Sequence, residues 1–340
     1  MIIRNVLLIP FSLSLKKNFI NSSFQFNTRE GIILKLEDNL GHFGYGECSP
    51  LPHFSKENLN EIQNELNKFS QFILNKFVDN NFIEFKSYPS VNFCVEQALF
   101  NLFLQQTENL NESYTKKIKT SALVGLYSLN ETLDFISKKI NQGYDTFKLK
   151  IGRDNPFDDF LLIEKIREAF GYEIKLRLDV NQKWSCDEAI EYINNLEQFN
   201  IEYIEEPCSS LCSNLKTLED LNFNIALDES LTDFDFTKEL IVNSPINIFI
   251  VKPMMFGFNN TIELIDLAKT QNKIIIISSL FESLVGKSGL VYLASLPDHN
   301  YAHGLDTSEF FNDDIADDFY KAENSIINFD INLYPPKFNL

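Results

Sequence analysis

The chain has 340 residues, which is long enough for a barrel of about 250 residues and a smaller domain. Hydrophobic residues make up 44% of it, so it can form a large core. Its formal net charge of −18 excludes nucleic acid as a partner, because the phosphates would be repelled. No apolar run is long enough to cross a bilayer, so we expect no membrane partner. The five cysteines form no CxxC pair, which favours thiols in a reducing cytoplasm.

Residues 1–115 lack a regular alternation of strands and helices. Apolar patterning predicts strands over residues 3–11 and 31–37, with a glycine-rich turn at residues 41–46. Helical spacing follows over residues 55–77 and 92–104. Antiparallel strands followed by helices predict a separate α+β capping domain.

An alternating pattern begins after Lys119 and predicts a (β/α) barrel over residues 116–314. The first barrel strand is expected at residues 120–124. Three helix starts then carry capping signals, which are Ser128 with Glu131, Asn155 before Pro156, and Ser185 with Glu188.

Five short apolar runs in this region each end in a charged residue. The steps between these charges are 29, 26, 23 and 24 residues, the length of a strand, a helix and two short loops. In a parallel barrel such charges converge at the C-terminal mouth of the strands. The runs are Thr146-Phe-Lys-Leu-Lys150, Ile174-Lys-Leu-Arg-Leu-Asp179, Ile201-Glu-Tyr-Ile-Glu205, Ile225-Ala-Leu-Asp228 and Ile248-Phe-Ile-Val-Lys252.

The last two strands are predicted at residues 273–278 and 301–303. Ser278 lies 26 residues beyond Lys252, and Gly304 lies 26 beyond Ser278, so the period continues. Residues 315–340 have no barrel pattern and are expected to return to the N-terminal domain.

The charges at the strand ends predict a metal-dependent enzyme. Asp179, Glu205 and Asp228 are hard oxygen donors that suit Mg²⁺ or Mn²⁺. Without a cation, each carboxylate pair about 4 Å apart would cost roughly 4 kcal/mol at an effective dielectric near 20. A lysine near other cations and a metal can have its pKa lowered far enough to act as a base, and such a base suits removal of a proton next to a carboxylate. A single charged residue at a strand end is more often a helix cap or a solvated charge. Five such residues in register favour an active site instead. Lys148 has the alternative interpretation of a structural ion-pair partner.

Ordered motifs occur throughout the chain. They are Lys148-Leu-Lys150-Ile-Gly152, Asp179-Val-Asn181, Glu205-Glu-Pro207, Asp228-Glu229-Ser230, Lys252-Pro253, Gly304-Leu-Asp-Thr307 and, near the N-terminus, Gly44-Tyr-Gly-Glu-Cys-Ser-Pro-Leu-Pro52. Together these motifs resemble the enolase superfamily. Within its muconate-lactonizing branch, with a lysine on either side of the metal, the sequence is most similar to the o-succinylbenzoate synthase family.

The resemblance implies a modified TIM-type (β/α) barrel with an α+β capping domain and one Mg²⁺ held by Asp179, Glu205 and Asp228. It implies syn dehydration of 2-succinyl-6-hydroxy-2,4-cyclohexadiene-1-carboxylate to 2-succinylbenzoate in menaquinone biosynthesis. Lys150 would act as base and then acid on one face of the substrate. Lys252 would stabilise the intermediate from the opposite face.

The same resemblance implies further contacts to a small-molecule carboxylate substrate. Lys148 would hold the carboxylate and lower the pKa of Lys150. Ser278 and Gly304 would meet the succinyl tail, while Arg177 and Asn181 belong to the same substrate site. The substrate-facing loop of the family is not recognisable between Phe11 and Phe26, so no residue is assigned there. The chain is expected to be a monomer or a homo-oligomer.

Two alternatives remain open at this stage. Dipeptide epimerases and N-acylamino acid racemases of the branch share the lysine pair, but epimerases usually carry an Asp-x-Asp near the last strand. This chain has the single Asp306 there, which favours dehydration. A non-catalytic binding barrel is disfavoured by the five charges in register.

Overall fold

The computed structural model describes residues 1–20, 25–79, 85–106, 114–209, 223–338 and 340. The N-terminal part is an antiparallel sheet whose strands neighbour one another in chain order, and a buried apolar cluster joins it to two helices. The predicted strands and helices are confirmed, with the first strand extending well beyond residue 11. The elements are β1 (Ile3–Ile20), β2 (Gln25–Asp38), β3 (Phe43–Cys48), α1 (Leu59–Ile73) and α2 (Pro89–Gln106).

The prediction of a glycine-rich turn over residues 41–46 is wrong beyond residue 42, because β3 begins at Phe43. Two of its glycines serve helix packing instead. A Cβ on Gly44 would lie 2.0 Å from the carbonyl oxygen of Ala98, and one on Gly46 would lie 1.8 Å from that of Cys94. Both carbonyls belong to α2, so β3 and α2 are in contact through their backbones.

In the described part of the chain, the barrel contains seven parallel strands whose spatial order follows the chain. Five of its strands are the charge-terminated runs, so the sequence prediction of a (β/α) barrel is confirmed. The strands are β5 (Ala122–Val124), β6 (Thr146–Lys150), β7 (Lys175–Asp179), β8 (Ile201–Glu205), β9 (Ile225–Leu227), β10 (Ile248–Val251) and β11 (Ile274–Ile277). The helices described between and after them are α3 (Leu129–Asn141), α4 (Pro156–Phe170), α5 (Cys186–Leu196), α6 (Phe234–Asn243), α7 (Phe258–Thr270) and α8 (Leu284–Ser295).

An extended segment closes the barrel where the sequence predicts an eighth strand. It forms single bridges on both sides, from His303 to Thr120 and from Gly304 to Ser278. The His303 amide donates to the Lys119 carbonyl at 2.8 Å, and the Gly304 amide donates to the Ile277 carbonyl at 2.9 Å. The predicted strand is therefore reduced to a short bridge, but it still joins the two edges of the sheet.

The three predicted helix starts are confirmed. Ser128 and Ser185 each form a capping box, with Glu131 and Glu188 respectively. The Asn155 side chain accepts the Phe157 amide, and Pro156 occupies the first turn of α4. These caps satisfy amides that a helix leaves without intrahelical partners.

The C-terminal residues contact both parts of the chain. Strand β12 (Ile326–Asp330) pairs antiparallel with β4 (Thr115–Lys119), which precedes the barrel. Farther on, the Tyr45 hydroxyl of β3 donates to the Phe338 carbonyl at 3.1 Å. None of the helices in the described ranges is long and apolar enough to cross a membrane.

A glutamate from α2 caps a barrel helix across the two parts. Gly257, the residue before α7, has no side chain to cap the helix. The Glu96 carboxylate accepts the Asn259 amide at 2.9 Å instead. Burial raises the pKa of Glu96 from 4.5 to about 7, although its backbone hydrogen bonds oppose the shift.

This raised pKa predicts a pH-dependent contribution to stability. The folded state of Glu96 holds its proton more tightly than the unfolded chain, so its contribution is present below pH 4.5 and is lost as the pH rises through about 7. The glutamine in Glu96→Gln does not ionise. Between pH 5 and pH 8 the free energy of unfolding of this variant should therefore fall less than that of the wild type, and the two decreases should differ by on the order of 1 kcal/mol. Denaturant titrations at both pH values measure the difference, with the exposed Glu191→Gln as control. Parallel pH profiles for the wild type and Glu96→Gln would contradict it.

Candidate active site

The charges that end the barrel strands come together as the sequence predicts. Lys148 and Lys150 alternate with Leu149 along β6, and Asp179 and Glu205 end the next two strands in register. The Lys148 ammonium lies 2.8 Å from Asp179 Oδ2 and 2.7 Å from Glu205 Oε1. Lys148 therefore joins two strands through their terminal carboxylates.

Lys150 and Lys252 are anchored separately. Lys150 Nζ lies 2.5 Å from Asp179 Oδ2 and 2.7 Å from Asn181 Oδ1. Lys252 Nζ contacts both oxygens of Asp228, at 2.6 and 2.5 Å. Lys150 therefore shares the Asp179 carboxylate with Lys148, whereas Lys252 is paired with Asp228.

The three carboxylates are buried. Burial and the neighbouring Asp179 and Asp228 carboxylates raise the pKa of Glu205 well above its usual range, against the effect of Lys148. The pKa of Asp179 is lowered, because Lys148 and Lys150 outweigh the opposing effect of burial. Among the residues that the structure describes, Glu205 Oε2 has no hydrogen-bond partner.

A buried carboxylate, Glu206, and a half-buried one, Glu229, adjoin these three. Glu206 accepts the Asp228 and Ser230 amides, and Glu229 accepts the Asn181 side-chain amide at 2.7 Å. Burial, followed by the Asp228 charge, raises the pKa of Glu229 to about 7.

The residues present fit a divalent cation. No three His, Cys, Asp or Glu side chains in the described ranges form a ready metal-binding group, and Asp179, Glu205 and Asp228 each contact a lysine ammonium instead. Oxygen donors suit hard cations, and the unpartnered Glu205 oxygen is a donor still to be satisfied. Carboxylates in this cluster also outnumber the three lysines, so added positive charge would relieve their repulsion.

An open cleft of about 680 Å³ lies over these groups. Its polar lining includes most of the predicted site residues, and its apolar lining comes from both parts of the chain. The predicted residues that line it are Lys148, Lys150, Asn181, Asp228, Lys252, Ser278 and Gly304. The apolar residues are Leu51, Phe54, Leu123, Leu280 and Phe281.

Three of the predicted substrate residues have well-defined positions. A Cβ on Gly304 would lie 2.9 Å from Ser278 Oγ, so the two strand ends approach closely at the cleft wall. Arg177 is 1% exposed and is not among the residues lining the cleft. Its guanidinium donates to Glu202 at 2.5 Å and to the Ala302 carbonyl at 2.6 Å, inside the barrel.

Sequence reasoning missed the contribution of the N-terminal part to the cleft. Lys252 Nζ lies 3.9 Å from the centre of the Phe54 ring, a cation–π contact between the capping part and the barrel. Phe54 lies two residues after the Ser49-Pro50-Leu51-Pro52 motif, so the signal in the sequence was an aromatic residue close to a family motif.

Buried charges attach this capping segment to the barrel. Arg29 is 1% exposed, and it donates to the Ser49 and Pro50 carbonyls and, at 3.1 Å, to the Leu280 carbonyl. Glu47 accepts the Ser283 hydroxyl at 2.5 Å at the start of α8. These contacts fix the position of two cleft-lining segments relative to each other.

With this arrangement established, comparison identifies the family. Residues 131–330 match the family described as Enolase C-terminal domain-like, and the chain belongs to this family, within the enolase superfamily. Residues 3–102 match a second family, described as MenC, N-terminal domain.

Curated relatives include two different activities. The chain is 29% identical to o-succinylbenzoate synthase of Aliivibrio fischeri (strain MJ11), over 88% of this chain and 89% of the relative. It is 26% identical to L-Ala-D/L-Glu epimerase of Clostridium acetobutylicum, over 87% of each. A 28% match to protein PHYLLO of Arabidopsis thaliana covers 84% of this chain but only 20% of that protein.

Solved structures share the fold. The L-Ala-D/L-Glu epimerase from Bacillus subtilis superposes with a TM-score of 0.86 at 21% identity, over 96% of each chain. A dipeptide epimerase from Methylococcus capsulatus, complexed with Mg and the dipeptide L-Arg-D-Lys, gives 0.86 at 19% identity, over 96% of this chain and 97% of that one.

Proposed function

We propose that this protein is an o-succinylbenzoate synthase, which removes water from 2-succinyl-6-hydroxy-2,4-cyclohexadiene-1-carboxylate. The observation that carries the proposal is the match of residues 3–102 to the MenC N-terminal domain. Leu51 and Phe54 of that region line the cleft, so the part of the chain that resembles MenC also forms part of the substrate pocket. The o-succinylbenzoate synthase relatives support the same activity over most of the chain.

Asp179, Glu205 and Asp228 would hold one Mg²⁺, or Mn²⁺ in its place. Mg is named in several structures of similar fold, which supports this assignment. When bound, the cation stabilises negative charge that develops on the substrate carboxylate. It would also compete for the oxygens that now contact the lysines.

Lys150 would be the acid–base group. It lines the cleft, and Asp179 and Asn181 hold its ammonium in one orientation. As the neutral amine it would take the proton next to the substrate carboxylate. It would then give a proton to the departing hydroxyl on the same face, so that one water molecule leaves and the ring becomes aromatic.

Lys252 would act as a fixed positive charge on the opposite face. Asp228 and the Phe54 ring hold it there without participating in proton transfer. Lys148 would orient the substrate carboxylate beside Lys150. Asn181 would position Lys150. The succinyl tail would lie against Ser278 and Gly304. Arg177 would support the site from the barrel interior through Glu202.

Epimerisation or racemisation is the second candidate. The Clostridium acetobutylicum relative and the structural neighbours carry such names, and two lysines on one cleft also suit proton transfer at opposite faces. The two reactions differ in what Lys252 must do, since an epimerase needs it to deliver a proton.

Lys252→Arg should therefore keep measurable dehydration. Arginine retains the charge but does not readily release a proton, so a purely electrostatic role is partly preserved and proton delivery is lost. The assay follows loss of substrate absorbance, with Lys252→Ala as the matched variant that removes the charge. In parallel, solvent deuterium uptake is measured at the α-carbon of dipeptides and N-succinylamino acids. Efficient epimerisation by the wild type without dehydration would overturn the proposal.

A further inference from the structure

Asp306 stands at the wall of the cleft, just beyond the segment that closes the barrel, and it is already paired. The Lys139 ammonium lies 2.8 Å from Asp306 Oδ2 and 2.7 Å from Glu309 Oε2. The side chains of Lys139 and Asp306 are only 4% and 8% exposed, whereas that of Glu309 is 51% exposed. This is a buried ion pair with a more exposed second carboxylate.

Lys139 reaches Asp306 from outside the cleft. It belongs to the last turn of α3, and its ammonium also lies 4.5 Å from the centre of the Tyr144 ring. It lines a second cavity of about 330 Å³, which shares Leu123 and Asp306 with the main cleft. Lys139 itself is not among the residues lining the main cleft, so it has no direct contact with a substrate there.

The surroundings keep the pair charged. Burial alone would lower the pKa of Lys139, but the Asp306 and Glu309 carboxylates outweigh it and raise that pKa. Burial raises the pKa of Asp306, while Lys139 and a hydrogen bond from Tyr144 oppose the shift. Removing one member of such a pair would leave the other charge buried and uncompensated.

We propose that Lys139 is a specificity-determining residue that prevents Asp306 from acting as a docking group for a substrate ammonium. An unpaired carboxylate in a cleft attracts a cationic substituent, and a carboxylate paired with lysine does not. The end of the substrate that reaches this wall is therefore uncharged or anionic. This restriction on the substrate rests on the proposed function, because the proposed substrate has an acidic tail and no amino group.

The experiment compares two ligands that differ in one charge, L-Ala-L-Glu and N-acetyl-L-Ala-L-Glu. Their Kd values are measured by calorimetry in the presence of Mg²⁺. The wild type should not prefer the free amine. Lys139→Met and Lys139→Gln should shift the ratio of Kd values towards the free amine by about tenfold, the scale of one newly available charge contact. Lys138→Met, an exposed neighbour on the same helix, is the matched control and should leave the ratio unchanged.

Two more variants separate this role from a structural one. Asp306→Asn leaves Lys139 without its buried partner and should shift the ratio in the opposite direction, against the free amine. Lys139→Met/Asp306→Asn removes both charges and should show no amine preference. Folding of each variant is followed by circular dichroism, and if the Lys139 single variants do not fold, the Asp306→Asn shift decides.

An unchanged ratio in a folded Lys139 variant would overturn the inference, as would an unchanged ratio in Asp306→Asn. An amine preference that persists in the double variant would also overturn it. Because binding is measured without turnover, a wild type that fails to dehydrate would refute the proposed function while leaving this result intact.

Discussion

Lys150→Ala is expected to lower kcat by about 10²–10⁴, the usual cost of removing a general base, and by more if one group serves as both base and acid. The side chain is buried to 8% exposure and lines the cleft, so alanine leaves space rather than a clash. Asp179 keeps Lys148 as a partner, so the carboxylate cluster should persist. Steady-state dehydration kinetics, with circular dichroism and a metal titration on the same preparation, measure the effect.

The matched control is Lys165→Ala, a partly exposed lysine of α4 that pairs only with Glu168 in the described contacts. It should retain wild-type turnover. If Lys150→Ala keeps more than about a tenth of the wild-type rate, the assignment is wrong, because the loss would be under about 1.4 kcal/mol of transition-state stabilisation.

Asp228→Asn is expected to weaken Mg²⁺ binding and nearly abolish turnover. A neutral amide donates less charge to a hard cation, and it also removes the partner that contacts Lys252 through both oxygens. Two functions of one carboxylate are thus lost together. Metal affinity is measured directly by calorimetry, and turnover is measured across a range of Mg²⁺ concentrations.

Asp235→Asn is the control for Asp228→Asn, since Asp235 is an exposed aspartate in the first turn of α6. It should change neither metal affinity nor rate. Full activity of the wild type in excess chelator would contradict the metal requirement itself.

The barrel could be predicted from the sequence because its signals are local and periodic. Each charge-terminated run has its own apolar residues, and caps such as Ser185 with Glu188 lie within one helical turn. The regular steps between Lys150, Asp179, Glu205 and Asp228 indicate that consecutive strands present their ends at one face. The contacts among these side chains then follow from strand register.

Contacts between distant segments could not be predicted in the same way. Gly44 and Gly46 look like turn residues, and only the position of α2 against β3 shows why side chains are excluded there. Two other contacts depend on how separate parts of the chain pack. They are the contact of the Phe54 ring with Lys252 and the ion pair of Lys139 with Asp306. The roles assigned to Asp179, Glu205, Asp228 and the lysines remain predictions until the variants are measured.

The buried Arg29 has a consequence for how the protein is made. Its guanidinium reaches the Leu280 carbonyl, 251 residues later in the chain. During synthesis the N-terminal part leaves the ribosome first, at about 5–20 residues per second, so roughly 10–50 s pass before this acceptor is translated. Until then Arg29 can obtain only its local partners near Ser49 and Pro50. The nascent chain therefore carries an incomplete pocket for most of its translation, and the cleft is completed only when the last barrel strands emerge.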